Sequence, residues 1–397
     1  MNFILLTDYY YPIVKSGSII VGDLADELLS KGHNITVITF DDDQKDKYDI
    51  EVKGRLRVIR IRSLPRKYGK IGRLWAEINY SKEIIKSIEK LKKIECNGVI
   101  CYSPSIFYGS AINWLKKKYQ SKSYLIIRDI FPKWALEAGL LSKGLLYRYL
   151  KYVEKNLYSS SNTIGIEAKS DLNYFNSLGL NKSIKIEVLN NWGSTSIQID
   201  HNFPNNPLDV KKVNIVYGGN MGDAQDLLAL VRMIDFSILG ERAHLFLIGS
   251  GNQFDKIKST ILQKNLLNVT LLPSVNRKKY LSIMAKADVG LVSLSNKMSS
   301  NNYPLKMIGY MQLSKPILAS VNKNNEIISM IQRNNIGFAS KALDKKGFDN
   351  NLDEILTNTA LRKTQGRNAL KLFNKEFTVE VATKQILKNF NLSLIHI

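Results

Sequence analysis

Short apolar runs recur along this chain, separated by stretches in which apolar residues return at helical spacing. "FILLT" (3–7), the run in "GHNITVITF" (32–40), "LRVIRI" (56–61), "GVICYS" (98–103), "SYLIIRDIF" (123–131), "NTIGIEA" (162–168) and "IKIEVLNNWG" (184–193) are rich in β-branched residues. Bounded by Gly, Asn, Asp or Pro, each reads as a strand. Residues 22–29, 77–92, 107–118 and 142–157 read as the intervening helices. Strand and helix in strict alternation imply a parallel sheet covered on both faces. The pattern stops at "STSIQIDHNFPNNPLDVKK" (194–212), a polar stretch with two prolines that reads as a linker. It then restarts, with strands at 213–217, 244–248, 269–272, 288–292 and 316–320. Two α/β domains in tandem follow, and ligands favour the carboxyl ends of such strands.

A length of 397 residues suits two domains, and 44% apolar residues suit a packed core. Charge adds something new. There are 57 Lys and Arg against 35 Asp and Glu, a net +22 shared evenly between the two halves. A surplus spread over folded surface points to a polyanionic partner: anionic lipid, nucleic acid or a phosphorylated substrate. Cys96 and Cys101 have no metal or redox spacing and read as reduced thiols. "FILL" is too short for a signal peptide, and no run approaches the length of a membrane-spanning helix. A protein in solution or on one membrane face is expected. The closing "LSLIHI" fits no element.

Candidate chemistry gathers in the second half. In "IVYGGNMGDAQDLLALV" (215–231), Gly218, Gly219 and Gly222 follow a strand, and a helix starts near Asp226. Such a turn lets backbone amides approach a phosphate at a helix N-terminus, although glycines also serve plain βα turns. "LFLIGSGNQ" places Gly249 and Gly251 after the next strand. In "NNYPLKMIGYMQLSKPILAS", Pro304 suits a helix start, and Lys306 lies close behind it. Three anion-friendly turns on one sheet edge point to a diphosphate.

With "VTLLPSVNRKKYLSIMAKADVGLVSL", "TDYYYPIVKSGS", "RDIFPKWALEAGLL" and "VLNNW", these segments resemble the retaining nucleotide-sugar glycosyltransferases of family 4 over nearly the whole chain. The O-antigen and capsule branch that transfers N-acetylated deoxysugars such as N-acetylfucosamine is the nearest match. The resemblance implies a GT-B fold: α/β, two Rossmann-like domains with parallel sheets facing across a cleft. It implies an acceptor domain over 1–193, a nucleotide-sugar domain over 194–375, and a last helix near 376–390 that, with the chain to 397, packs back on the first domain. Donor contacts would come from Gly218, Gly219, Asn220, Gln225, Gly249, Gly251, Val275, Arg277, Tyr303, Pro304, Leu305 and Lys306. The base and ribose would lie against Pro273–Asn276 and the segment before Pro304. Ser16, Gly17 and Ser18 would line the acceptor side. No cofactor or metal is implied, because helix ends and cations offset the diphosphate charge.

The chain departs from the family at instructive places. Two glutamates eight apart are replaced by Asn301 and Gly309, and an arginine and lysine after the first glycine turn by Asn220 and Gln225. Ribose recognition and part of the charge must come from elsewhere, with Lys306 or Arg277 taking a larger share. Asp129, just past a strand end, reads either as the group that orients or deprotonates the acceptor hydroxyl or as a cap or partner of Arg128. Glu137 is a weaker candidate. His33 and Asp288 read as structural.

From Lys53 to Arg73 there are nine cations and no acid, with Tyr68 beside them and Trp75 just beyond; "NWLKKKY" (113–119) repeats the mixture. Such a run is either a solvated face or a surface for an anionic membrane. The expected activity is transfer of a UDP-linked N-acetylated deoxyhexose to a lipid-diphosphate-linked GlcNAc acceptor in O-antigen, lipopolysaccharide or capsule synthesis. The expected location is the cytoplasmic face of the plasma membrane, with no nucleic acid as partner. The alternatives are a nucleotide-binding scaffold of a polysaccharide assembly complex and a UDP-GlcNAc 2-epimerase-like enzyme.

Overall fold

Strands without a polar face must be covered on both sides, and that requirement organises the molecule. The computed structural model describes residues 1–390 except 14, 64–68, 92–93, 138, 198, 200–205 and 298–302. The chain divides into two units, Met1–Asn191 with Val379–Ile397, and Trp192–Thr378.

The first unit runs β1 (Asn2–Leu6), α1 (Ser16–Ser30), β2 (Asn34–Asp41), β3 (Tyr48–Lys53), β4 (Leu56–Arg62), α2 (Gly69–Ile78), α3 (Tyr80–Lys90), β5 (Gly98–Ser103), α4 (Gly109–Tyr119), β6 (Lys122–Ile127), α5 (Lys133–Glu137), α6 (Leu145–Ser159), β7 (Thr163–Ile166), α7 (Leu172–Ser177) and β8 (Lys185–Val188). Its sheet has the order β3-β4-β2-β1-β5-β6-β7-β8. One strand corrects the all-parallel expectation: β3 pairs antiparallel with β4. Only two residues, Gly54 and Arg55, join them, and Gly54 takes φ +58°. A link that short closes a hairpin and cannot cross over to a parallel strand. The pattern of β3 was illegible because Ile50 and Val52 face solvent, while Asp49 and Glu51 meet Arg60 at 3.5 and 3.0 Å.

The second unit runs β9 (Val213–Asn220), α8 (Leu227–Met233), β10 (Ala243–Ser250), α9 (Phe254–Gln263), β11 (Val269–Pro273), α10 (Arg277–Lys286), β12 (Val289–Ser293), α11 (Leu305–Gln312), β13 (Ile317–Val321), α12 (Glu326–Asn334), β14 (Gly337–Lys341), α13 (Lys345–Thr357) and α14 (Thr359–Glu376). All its strands are parallel, in the order β11-β10-β9-β12-β13-β14. Apolar layers cover both faces: Ile283, Met307, Met311 and Phe373 on one side, Leu227, Val231, Ile257 and Phe348 on the other. β14 was not read from the sequence, because it is short and begins at a glycine with φ +145°. The direction of sheet growth reverses between β9 and β12, as it does between β1 and β5, and a crevice opens at the strand ends of such a switch point.

The last helix, α15 (Val379–Lys388), returns to the first unit and packs on α1. Gln385 Nε2 donates to the Val188 carbonyl at 2.7 Å, and Asn389 Nδ2 to Glu187 at 3.0 Å. The buried Phe390 ring meets Phe3 edge-on at 5.2 Å and fills the space that a side chain at Gly98 would need. Residues 391–397 lie outside the described residues, so the expectation for "LSLIHI" is not addressed. Phe390→Ala is expected to cost the first unit about 3 kcal/mol, the usual loss for a buried Phe→Ala. Chemical denaturation should show an earlier transition for that unit alone.

Candidate functional site

The glycine turns are glycine for steric reasons that also shape a binding rim. Gly218 lies opposite Ile248, Gly219 opposite Gly249 and Asn220 opposite Ser250 in adjacent parallel strands. A Cβ on Gly218 would stand 2.1 Å from the Tyr280 ring, and one on Gly249 would stand 1.9 Å from the Gly219 carbonyl oxygen. Gly219 and Gly251 take φ +126° and +152°, which side chains rarely adopt. The ends of β9 and β10 therefore close together at glycines that contribute backbone alone, with Met221 and Asn220 packed beside them.

Lys306 rises beside this surface from the first turn of α11. Its Cε and Nζ lie 3.6 Å from where a Gly219 Cβ would be, and Nζ stands 3.7 Å over the Tyr217 ring. The stem is partly exposed, but Nζ is buried and has no hydrogen-bond acceptor among the described residues. Burial lowers its ammonium to about 7. Pro304 stands at the N-cap of α11 with no side-chain cap bond, so the lysine and the helix's positive end occupy the same place.

Not every anticipated feature takes part. At the start of α8 one amide is already engaged, since Leu228 N donates to Gln253 Oε1 at 3.1 Å. Gln253 Nε2 in turn donates to Asp226 at 3.2 Å, and Asp226 sits at φ +46°. Gln253 could not be read from the sequence as a cap of α8, because the two are neighbours only through the pairing of β9 with β10. Asn220 Nδ2 donates to Gln225 Oε1 at 2.8 Å, so the two neutral replacements satisfy one another. Arg277 is exposed at the first residue of α10, and Val275 is partly buried against the core. Ser274 donates to Ser250 at 2.9 Å, which ties the β11 loop to the β10 turn. Tyr303 donates to Glu326 at 3.4 Å, and Leu305 packs on the core beside it. Asn301 lies outside the described residues. Gly309 faces open space, where a side chain would meet nothing within 4 Å. Asp288 accepts from Asn214 N at 2.8 Å, a local structural bond.

In the first unit, carboxyl ends of neighbouring strands gather a polar cluster. Asp8 follows β1, Tyr102 ends β5, Arg128 and Asp129 follow β6, and Glu167 follows β7. Asp8, Tyr102, Arg128 and Glu167 are buried, while Asp129 is exposed. Burial first, and then the Asp129, Glu167 and Asp8 carboxylates, push the Tyr102 phenol up, with Arg128 opposing them. Arg128 donates to the carbonyls of Leu189 at 2.6 Å and Asn190 at 3.2 Å, fixing the turn after β8. Asn191 Nδ2 donates to Glu167 at 2.5 Å, and Tyr108 to Asp8 at 2.5 Å. Asp8, Tyr102 and Glu167 were missed in the sequence, although each stands at a strand end.

Ser16, Gly17 and Ser18 were read as a loop and are instead the first turn of α1. Ser18 is consumed locally, accepting from Lys15 N and donating to Lys15 O, both at 2.8 Å. Gly17 backs onto Tyr102, whose Cε1 would lie 3.4 Å from an added Cβ. Glu137 pairs with Lys133 at 3.7 Å. His33 packs edge-on against Phe3 at 5.4 Å, with burial lowering its pKa. Cys96 and Cys101 are free and buried.

The second unit is also similar to known proteins. Residues 198–372 match the family described as Glycosyl transferases group 1. The matched segment lies within the second unit. The probable glycosyltransferase WbjE of Pseudomonas aeruginosa is 25% identical over 258 residues, 64% of this chain and 62% of that protein, which is less than two thirds of its length. Among solved structures, Anabaena Alr3699/HepE in complex with UDP and glucose superposes with a TM-score of 0.67 at 13% identity, covering 98% of this chain and 99% of that one. WaaG, a glycosyltransferase involved in lipopolysaccharide biosynthesis, also gives 0.67 at 13% identity, covering 96% and 98%. The chain has the GT-B fold. Within the group 1 domain, the two glycines best suited to a test lie on either side of Lys306. Gly249→Ala is expected to lower stability by about 1–3 kcal/mol through its clash with backbone. Gly309→Ala, mid-helix with room for a methyl group, should raise it by up to about 1 kcal/mol. Urea titrations of both variants check the contrast.

Proposed function

We propose that this chain is a glycosyltransferase that takes a sugar from a nucleoside-diphosphate donor and passes it to a membrane-borne acceptor in polysaccharide synthesis. The donor is read as UDP-linked, carrying an N-acetylated deoxyhexose, and the acceptor as lipid-diphosphate-linked GlcNAc of O-antigen or capsule assembly. One observation carries the reading: the Lys306 ammonium, buried beside a bare glycine rim and a helix N-terminus, with no acceptor among the described residues. A diphosphate supplies the missing counter-charge, and backbone without side chains lets it come close. The group 1 match to the same unit and the UDP held by HepE support it.

In this reading the bond between the anomeric carbon and the β-phosphate oxygen breaks, and negative charge grows on the phosphate. Lys306 and the end of α11 stabilise that charge most where it is largest. The sugar keeps its configuration because the acceptor hydroxyl enters on the face that the phosphate leaves, and the departing phosphate takes the hydroxyl proton. Asp129, exposed at the end of β6 beside a cluster richer in carboxylates than cations, orients that hydroxyl. Gly309 and the Asn220–Gln225 pair favour a second reading, a nucleotide-binding scaffold without turnover. Donor consumption in the presence of acceptor separates the two.

The pH dependence follows from Lys306. Unliganded, it titrates near 7; a bound diphosphate raises its pKa. Below pH 7 the ammonium is present in both states, and affinity is flat with respect to this group. Above pH 7 binding must take up a proton, so affinity falls, by up to about tenfold per pH unit. Calorimetry with UDP between pH 6 and 9 should show this decline, and Lys306→Met should bind at least about tenfold more weakly with this component of the profile gone. For Asp129→Asn, kcat is expected to drop by about a hundredfold with UDP affinity unchanged. Near-normal turnover would remove Asp129 from the mechanism.

A further inference from the structure

The cationic run noted in the sequence is only in part a surface of the first unit: Arg60 is buried against Asp49 and Glu51, and residues 64–68 lie outside the described residues. α6, which the sequence marked only as a helix, carries a surface of another kind. Its inward side is set by Leu150, Glu154, Leu157 and Tyr158, all buried. Its outward side exposes Leu145 at 85%, Leu146 at 47%, Tyr149 at 44% and Tyr152 at 71%, with Leu140 just upstream at 57%. Leu145, Tyr149 and Tyr152 stand at i, i+4 and i+7, in one line along about 10 Å of helix. Arg148 and Lys155 flank that line and are exposed, as is Lys143 before the helix. The only acid of α6 is Glu154, on the buried side with Lys151 and Tyr174 against it.

We infer that this face of α6 docks on an anionic lipid bilayer, with the leucines entering the headgroup boundary and the tyrosines at its level. An apolar line beside exposed cations and without exposed acid complements a surface that is apolar below and negatively charged above. Tyrosine places an apolar ring and a polar hydroxyl across the same boundary. A second copy of the chain fits less well: a two-fold contact would set Arg148 and Lys155 against their own symmetry mates. The inference rests on the reading that the acceptor is membrane-borne and names the surface that brings the first unit to it.

The test uses the full chain and sucrose-loaded vesicles of phosphatidylcholine with or without 30% phosphatidylglycerol. Wild type is expected to sediment with the anionic vesicles and at least tenfold less with neutral ones. The double variant Leu145→Glu/Tyr152→Glu, changed only at exposed positions, should lose at least tenfold in vesicle partition while binding UDP as wild type does. Equal partition of variant and wild type overturns the inference, and so does a wild type that never sediments at low salt. A wild-type dimer that the double variant makes monomeric also overturns it, because another copy then covers the face. Vesicle binding that depends on α6, in a protein that takes up no UDP, upholds the docking surface and removes the transferase reading.

Discussion

A lysine ammonium held out of water with an aromatic face as its neighbour is the constraint on which the second unit's site depends. Burying a charge without a counter-charge is costly, and a cation–π contact of about 1–2 kcal/mol offsets only part of that cost. The unit builds this position from several directions. Tyr217, within β9, provides the ring and is held by its own hydroxyl on the Asn220 carbonyl. Gly218 makes room for Tyr280, whose hydroxyl reaches that of Tyr310, and Tyr310 rests on Gly290 in β12. The strands on either side of the switch point are thus braced by tyrosines beneath the rim, and the backbone above them stays bare.

The two units hold opposite electrostatic characters at equivalent places. Each sheet reverses its growth beside its first strand, and each gathers polar groups at the strand ends there. In the second unit those groups are amides and a cation, which suit a diphosphate. In the first they are Asp8, Asp129 and Glu167, and the one arginine among them is engaged with backbone carbonyls. Under the proposed function, a carboxylate-rich cluster of this kind suits a hydroxyl whose proton must be steered and repels a second polyphosphate. On that proposal the two units differ in role through side chains at strand ends, with the topology unchanged.

Charge at the surface has a separate logic. A net +22 shared by both halves shows no preference for either site, yet exposed apolar side chains are concentrated on α6, with cations beside them. Electrostatic attraction alone is long-ranged and salt-sensitive, whereas apolar insertion is short-ranged and fixes orientation. In the inferred membrane docking, the pair of features supplies approach and placement to the same unit.

Strand positions were legible because a parallel strand buried on both faces is almost wholly apolar, as "FILLT" and "KPILAS" are, and because the partly exposed β4 and β8 still alternate apolar with charged residues. The glycine turns and Lys306 were legible as well, since a turn needing φ above zero and a helix start marked by proline announce themselves locally. β3 and β14 were not: one lies on an edge with its apolar residues outward, and the other is five residues long behind a glycine. The capping of α8 by Gln253, the mutual pairing of Asn220 with Gln225, the helical start at Ser16 and the outward face of α6 depend on which strands and helices become neighbours. Sequence periodicity says that a helix has an apolar side, but α6 has two, and only packing chooses the one that is buried. The sequence by itself determined two Rossmann-like units and the place of a glycine-lined rim, because backbone geometry and burial act along the chain. The tertiary structure alone decided that the Lys306 ammonium is buried without an acceptor, because that isolation depends on β9, β10 and α11 meeting in space.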